Sequence, residues 1–421
     1  MTASDLPSSR VVTFGCRLNA AESEMIRTLT EAADDVVVVN TCAVTGEAER
    51  QARQTIRRLR RERPDARIVV TGCAAQIHPE MFAAMPEVDQ VLGNTEKLRA
   101  ESFAAPMPDQ VPDRVMVADI MAERDVAEHP ISGFDGRARA FVEVQQGCDH
   151  RCTFCVIPYG RGPNRSVPAE RVIAQVRTLV EAGFAEVVLT GVDITGYGTD
   201  AGASALGGLV RRVLAEVPDL ARLRLSSLDP VEIDGELLRA VAEEERLMPH
   251  FHLSVQAGDD LVLRRMARRH RRADVLTLAA RLRELRGAVT LGADLIAGFP
   301  TEDEDMAKRS LDLVEEGGFT HLHVFPFSPR PGTPAAAMPP VPGRVVRDRA
   351  AALRARGEAA LAAFRAGRVG SAVTVLVEAD NQGFCERYLP VRLTRPAAPG
   401  ALIAARVMRE DGNVLIAEEG A

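Results

Sequence analysis

The sequence predicts an α/β protein in three parts: an N-terminal parallel α/β domain over residues 8–103, a central partial barrel of six βα units over 139–366, and a small C-terminal all-β barrel over 367–421. Three observations carry this. Short valine-rich runs alternate with longer helical patterns from residue 10 to about 95. The alternation resumes six times between 139 and 330. After 368 only short alternating runs remain, separated by Gly, Pro and Asn. A chain of 421 residues, 46% of them apolar, has room for two or three domains.

In the first block the strand candidates are "VVTFG" (11–15), "VVVVN" (36–40), "RIVVTG" (67–72) and "VDQVLG" (88–93). Residues 104–138 hold Pro106, Pro108, Pro112 and Pro130 among acidic and small residues, and read as a linker. The central strands are "FVEVQQ" (141–146), "EVVLTG" (186–191), "RLRLSS" (222–227), "HFHLSVQ" (250–256), "VTLGADLIAG" (289–298) and "THLHVFPF" (320–327). Six such units fit an open barrel or a doubly wound sheet, and strand chemistry favours the barrel. Side chains alternate faces along a strand. His250, His252, Ser254 and Gln256 therefore share one face, as do Arg222, Arg224 and Ser226, and His321 and His323. A parallel strand sandwiched between helices is normally apolar on both faces, so repeated polar faces point to a shared cavity.

No apolar run approaches the roughly 20 residues of a membrane span. The N-terminal "MTASDLPSSR" lacks the apolar segment of a secretory signal. The expected location is the cytoplasm, where thiols stay reduced, so seven cysteines suggest metal or redox chemistry rather than disulfides. The net charge of −7 argues against a general polycation. Lys97 and Lys308 are the only lysines, and the arginine excess alone says nothing about RNA.

Cys16, Cys42 and Cys73 each stand just past an apolar strand, where a helical pattern begins. In parallel sheets such positions gather at one edge, beside helix N-termini that favour anions. Three cysteines in register there predict a shared metal or cluster site. A second set, Cys148, Cys152 and Cys155, is spaced C-x3-C-x2-C in "GCDHRCTFC", directly after the first barrel strand. Structural zinc needs four closed ligands. Three thiolates instead suit a cluster with one position left open.

That knuckle, with Phe154 before its last cysteine, resembles the radical S-adenosylmethionine (SAM) superfamily. There three cysteines hold a 4Fe–4S cluster, SAM completes it, and reductive cleavage yields a 5′-deoxyadenosyl radical. "FGCRLNAAESE", "VVNTCAVTGEAE", "VVTGCAAQ" and "GCDHRCTFCVIPYGRGPNRS" together resemble the methylthiotransferases of that superfamily, and the C-terminal barrel is similar to their RNA-binding TRAM module. The resemblance covers nearly the whole chain. It implies a second 4Fe–4S cluster on Cys16, Cys42 and Cys73. It implies SAM against Phe154, Gly191, Ser254, Gln256 and Gly298. It also implies an electron donor such as flavodoxin or ferredoxin, and a sulfur source. "LTGVDITGYG" and "THLHVFPFSPRPGTPAA" look most like the branch that modifies N6-threonylcarbamoyladenosine next to the anticodon of tRNA. Other branches act on isopentenyladenosine or on an aspartate of a ribosomal protein. Arg17 stands where that branch usually carries Lys. Arg222, Arg224 and His252 are compatible with a threonyl carboxylate.

For the anticodon stem-loop, Arg264, Arg265, Arg268 and Arg269 in "RRMARRHRR", with Arg387 and Arg392 on the last barrel, are the expected phosphate contacts. The run 49–63, with Arg50, Arg53, Arg57 and Arg60 opposite Ala52, Ile56 and Leu59, reads as a solvated helix face. Cys385 reads as an ordinary packed cysteine. Two other classes remain: a non-catalytic zinc-binding RNA module, and a cobalamin-dependent radical enzyme. The second lacks a D-x-H-x-x-G stretch here and leaves the strand-end cysteines unexplained.

Overall fold

The computed structural model describes residues 11–31, 33, 35–104, 113–126, 131, 133–134, 136–202 and 205–420. Pro106, Pro108, Pro112 and Pro130 lie outside the described residues. The chain forms two compact units. One holds the chain up to 131 with 145–151 and 155–166; the other holds 132–144, 152–154 and 167–421.

The first unit is built on a parallel sheet of β1 (Val11–Thr13), β2 (Val36–Thr41), β3 (Arg67–Gly72), β4 (Gln90–Leu92) and β5 (Val115–Met116), in that spatial order. Its valine-rich strands are buried on both faces, as parallel strands under two helical layers must be. Val37, Val39, Ile68 and Val70 pack with Ile56 and Leu59 of helix Gly46–Glu62. Val36, Val38 and Val69 pack on the other face with Ile26 of helix Arg17–Leu29. Helix Gly46–Glu62 starts where the Thr45 side chain accepts from the Ala48 N–H, and it buries only Ala52, Ile56 and Leu59. Its arginines are paired locally: Arg50 with Glu47, Arg57 with Glu87 and Arg60 with Asp89. β5 lies within the stretch read as a linker and adds an edge strand to this sheet.

In the second unit β6 (Arg139–Gln146) lies beside β8 (Glu186–Gly191) and β9 (Arg222–Leu225). The last two residues of β6 pair with the short β7 (Arg165–Ser166), within the first unit. A second run holds β10 (His250–Gln256), β11 (Thr290–Ala297) and β12 (Phe319–Pro326), all parallel. The two runs join just beyond β9, where Leu228 N–H donates to the His252 carbonyl (2.8 Å) and Ser254 N–H donates to the Leu228 carbonyl (2.9 Å). The result is six βα units in a partial barrel. Its outer face carries helices; Leu322 of β12, for example, meets Gly357 of helix Gly343–Ala366 so closely that a Cβ there would lie 2.7 Å from Leu322 Cδ1.

The C-terminal barrel closes in the order β13 (Ala372–Ala379), β14 (Gln382–Cys385), β15 (Pro390–Leu393), β17 (Val414–Glu419), β16 (Leu402–Asp411). Cys385 is fully buried in its core beside Val375, Leu389 and Val391.

The polar inner face of the partial barrel divides into two zones. Near the strand starts it is not a cavity but a socket. The turn after β14 places Tyr388, at φ +62°, in its centre. The Tyr388 ring stacks on His250 (centroids 5.1 Å apart) beneath the guanidinium groups of Arg139 and Arg224 (5.1 and 4.9 Å). Arg139 donates to the Tyr388 hydroxyl (2.9 Å), and Arg224 to the carbonyls of Cys385 and Glu386 (3.0 and 3.1 Å). Arg222 donates to the Thr374 carbonyl. The buried Glu186 carboxylate sits among the three arginines. Burial would raise its pKa, but the charges of Arg224 and Arg139 outweigh that and hold it low. Arg222 and Arg224 therefore anchor the C-terminal barrel, so the compatibility with a substrate carboxylate noted for them is not how they are used. The second zone, toward the strand ends, stays open.

Candidate active site

In the first unit the three N-terminal cysteines follow strands that are in register. Thr13 pairs with Asn40 and Asn40 with Thr71, so Cys16, Cys42 and Cys73 leave the same edge of the sheet. Cys16 caps helix Arg17–Leu29 and Cys73 opens helix Cys73–Ile77. Two glycines make this edge tight. Gly15, at φ +97°, leaves room for Cys42, whose Sγ would stand 2.9 Å from an added Cβ. Gly72, at φ +93°, lies so close to β2 that a Cβ would meet the Thr41 carbonyl at 2.3 Å. Burial pushes the Cys42 thiol up to about 12, with the neighbouring Cys73 adding to the rise.

A buried ionic cluster lies against these thiols. Arg161 donates from Nε to Cys73 Sγ (3.0 Å), from Nη2 to Glu22 (2.8 Å), and also to Asn19. Lys97 Nζ donates to the same Glu22 oxygen, Oε2 (2.7 Å). Glu22 and Lys97 are completely buried and Arg161 nearly so. Burial favours a neutral Glu22, yet the charges of Arg161 and Lys97 outweigh it and hold the carboxyl at about 2. Two cations against one carboxylate leave one positive charge beside three thiols. A sulfur-facing N–H and a net cation suit thiolates that carry a cluster, and suit three inert buried thiols poorly. The residues present thus fit a cysteine-ligated iron–sulfur group. Sequence reading did not assign Arg161, Glu22 or Lys97 to the site. The available signal was Lys97, one of two lysines in an arginine-dominated chain.

Cys148, Cys152 and Cys155 are all half-buried. Within the first unit, Gly147 at φ +73° starts their loop against the Pro163 carbonyl, and Cys148 N–H donates to the Gly162 carbonyl (3.0 Å). Within the second unit, Cys152 Sγ accepts from Arg268 (3.6 Å), which also binds Asp229 (2.7 Å) and the Ser254 carbonyl (2.9 Å). Phe154 is a packing anchor, edge-to-face with Phe299 (6.5 Å) beside Met266 and Ala335.

Gly191 ends β8 and Ser254 alternates with His252 along β10, whereas a register shift after Leu253 sets Gln256 opposite Leu295. Gln256 adopts φ +70° beside an irregularity in β10, a strained conformation for a non-glycine residue. Gly298 is explained by packing: at φ +71°, its Cβ would meet Val346 at 2.6 Å. The arginines expected at phosphates separate. Arg264 and Arg392 are exposed. Arg269 pairs with Glu232 and Arg265 with the Thr301 carbonyl. Arg387 donates to the Ala288 carbonyl and pairs with Glu386. Arg268 is half-buried and committed to Asp229 and Cys152.

Residues 142–314 match the family model of the radical SAM superfamily, and residues 9–93 match an uncharacterized protein family, UPF0004. The chain is 48% identical to the threonylcarbamoyladenosine tRNA methylthiotransferase MtaB of Rickettsia prowazekii over 94% of each chain. It is 38% identical to the tRNA-2-methylthio-N(6)-dimethylallyladenosine synthase of Sorangium cellulosum over 90% of this chain and 83% of that one. Among solved structures, the radical SAM methyltransferase TsrM of Kitasatospora setae shares the fold, with a TM-score of 0.52 at 18% identity, over 75% of this chain and 66% of that one.

Proposed function

We propose that this chain, which belongs to the radical SAM methylthiotransferase family, adds a methylthio group to C2 of N6-threonylcarbamoyladenosine next to the anticodon of tRNA. The observation that carries the reading is the strand-end set Cys16, Cys42 and Cys73 with the buried Arg161–Glu22–Lys97 cluster against it. A radical SAM enzyme needs one cluster to cleave SAM. A second thiol set in a cationic setting is what sulfur donation adds. The 48% identity over 94% of the chain to a relative named for this substrate supports the branch.

On this reading Cys148, Cys152 and Cys155 hold the cluster that SAM completes, and Cys16, Cys42 and Cys73 hold the auxiliary one. When bound, these groups supply reductive SAM cleavage and the transferable sulfur. The chain's own residues do the rest. Arg268 fixes Cys152, and Arg161 fixes Cys73. Gly191, Ser254 and Gln256 are the proposed SAM contacts. An electron donor such as flavodoxin or ferredoxin and a sulfur source complete the cycle. Arg264 and Arg392 are the exposed phosphate candidates. Among the described residues no helix is long and apolar enough to cross a membrane, and the proposed site of action is the cytoplasm.

Mass spectrometry of tRNA nucleosides from a deletion strain tests the substrate. The 2-methylthio derivative of threonylcarbamoyladenosine disappears and returns on complementation. Its persistence, with loss of the methylthio-isopentenyl nucleoside instead, assigns the chain to the other branch. Anaerobically purified protein carries about eight irons per chain, for two four-iron clusters; zinc without iron sinks the reading.

A further inference from the structure

We propose that His323 and His252, held by Asp294, form a carboxylate-reading site in the open zone of the partial barrel, and that it takes the carboxylate of the amino-acid group on the substrate base. The inference rests on the substrate reading above.

The three residues come from neighbouring strands, His252 from β10, Asp294 from β11 and His323 from β12. Asp294 and His323 are direct register partners. Both imidazoles meet one oxygen, Asp294 Oδ1: His252 through Nε2 at 2.9 Å and His323 through Nδ1 at 3.1 Å. Their rings lie 4.4 Å apart. The arrangement needs Gly292. A Cβ there would stand 2.1 Å from His252 Nδ1, so a side chain at 292 expels His252 from its place over β11.

This geometry fixes which nitrogens remain. Asp294 is acceptor-only when ionised, so the two nitrogens facing it are donors. His252 Nδ1 is closed off against Gly292. His323 Nε2 is the outward atom, on a side chain that is 60% exposed. Among the described residues, the arginines that β6 and β9 supply to the inner face are committed to Glu186 and the C-terminal barrel, and Arg268 is committed to Asp229. Within the His252–Asp294–His323 group, His323 Nε2 is the nitrogen left facing outward. Burial alone would raise the Asp294 pKa, but hydrogen bonds from His252 and His323 outweigh it and hold the carboxylate ionised. A carboxylate docked at His323 Nε2 is bound together with one proton on that nitrogen, and the Asp294 carboxylate behind Nδ1 stabilises the cation formed in the complex.

The site explains a selection between N6 groups. A threonylcarbamoyl group ends in a carboxylate that can accept a charge-assisted hydrogen bond from His323 Nε2. An isopentenyl group offers no acceptor to it.

The test is equilibrium binding of anticodon stem-loop RNAs to the reconstituted full-length protein, read by fluorescence anisotropy. One RNA carries threonylcarbamoyladenosine and the other its methyl ester. The wild-type protein prefers the acid by about ten- to a hundred-fold, the range of a charged hydrogen bond. In H323N the preference falls to within about two-fold, while affinity for the ester stays near wild type, which also reports an intact fold. D294N narrows the preference in the same direction by removing the carboxylate that supports the imidazolium. An H323N protein that keeps the preference overturns the inference, as does one that loses both RNAs equally while circular dichroism shows it folded. Failure of the substrate reading looks different: the wild-type protein itself then shows no preference for the acid and methylthiolates an isopentenyladenosine stem-loop instead.

Discussion

Arg161 Nε stands 3.0 Å from Cys73 Sγ, and the same guanidinium clasps Glu22 at the bottom of the cysteine edge. One side chain thus serves as sulfur-directed donor and as half of a buried ion pair. Replacing it by Met removes the donor to sulfur and leaves Glu22 paired with Lys97 alone. R161K keeps the charge but not the directed N–H. In a C148A/C152A/C155A background, which isolates the auxiliary site, R161K lowers the midpoint potential of the bound cluster in an EPR-monitored titration, because a donor to sulfur stabilises the reduced form. An unchanged potential with full iron loading contradicts this role.

Gly147 carries the turn into the C-x3-C-x2-C loop. Its φ is +73°, and a Cβ would lie 1.7 Å from the Pro163 carbonyl oxygen. G147A therefore displaces the loop. Iron analysis of the reconstituted variant is expected to fall by about half, since the auxiliary site is untouched, and SAM cleavage to deoxyadenosine is lost. Full iron content with normal cleavage removes the argument for this glycine.

Tyr388 fills the socket between His250, Arg139 and Arg224. Tyr388 is half-buried, so truncation to Ala costs roughly 2–3 kcal/mol, below the range for a fully buried aromatic. The unfolding midpoint in urea falls accordingly. Y388F, which loses only the bond from Arg139, loses about 1 kcal/mol. Equal losses for the two variants would mean that the hydroxyl, not the ring, holds the plug.

His321 sets an acid limit on the same contact. Burial, with lesser contributions from His252, His323 and Arg224, lowers its pKa to about 4 from 6.5, against the opposing hydrogen bond to the Tyr388 carbonyl. Between those values the unfolded chain binds a proton that the folded chain does not, so stability rises with pH there. It is complete above about pH 6.5 and falls by up to about 3 kcal/mol on acidification to pH 4. In H321N this part of the acid loss disappears, as urea titrations at pH 7 and pH 5 can show.

Much of the architecture was legible because period and chemistry agree. Runs such as "VVVVN" have no second reading once helical patterns flank them, and the C-x3-C-x2-C spacing is short enough to survive any fold. The cysteine edge was legible for a related reason, since Cys16, Cys42 and Cys73 each stand within three residues of a strand end. The socket was not. Arg222 and Arg224 alternate in the same way whether they face a cavity or the C-terminal barrel, and nothing local distinguishes the two. Arg268 was read as a phosphate contact because its neighbours in "RRMARRHRR" are basic; only the fold turns it inward, to Asp229 and Cys152. Arg161 and Glu22 are far apart in sequence, and their meeting depends on tertiary structure alone.

The register that aligns Thr13, Asn40 and Thr71 also dictates where this lineage can accept length changes. Helices between the N-terminal cysteines can grow or shrink without moving a sulfur. A single residue added between a strand and its cysteine shifts one thiol out of the set. Distances along the chain are therefore poor markers of this site, and the short offset from strand end to cysteine is the quantity a distant relative should preserve.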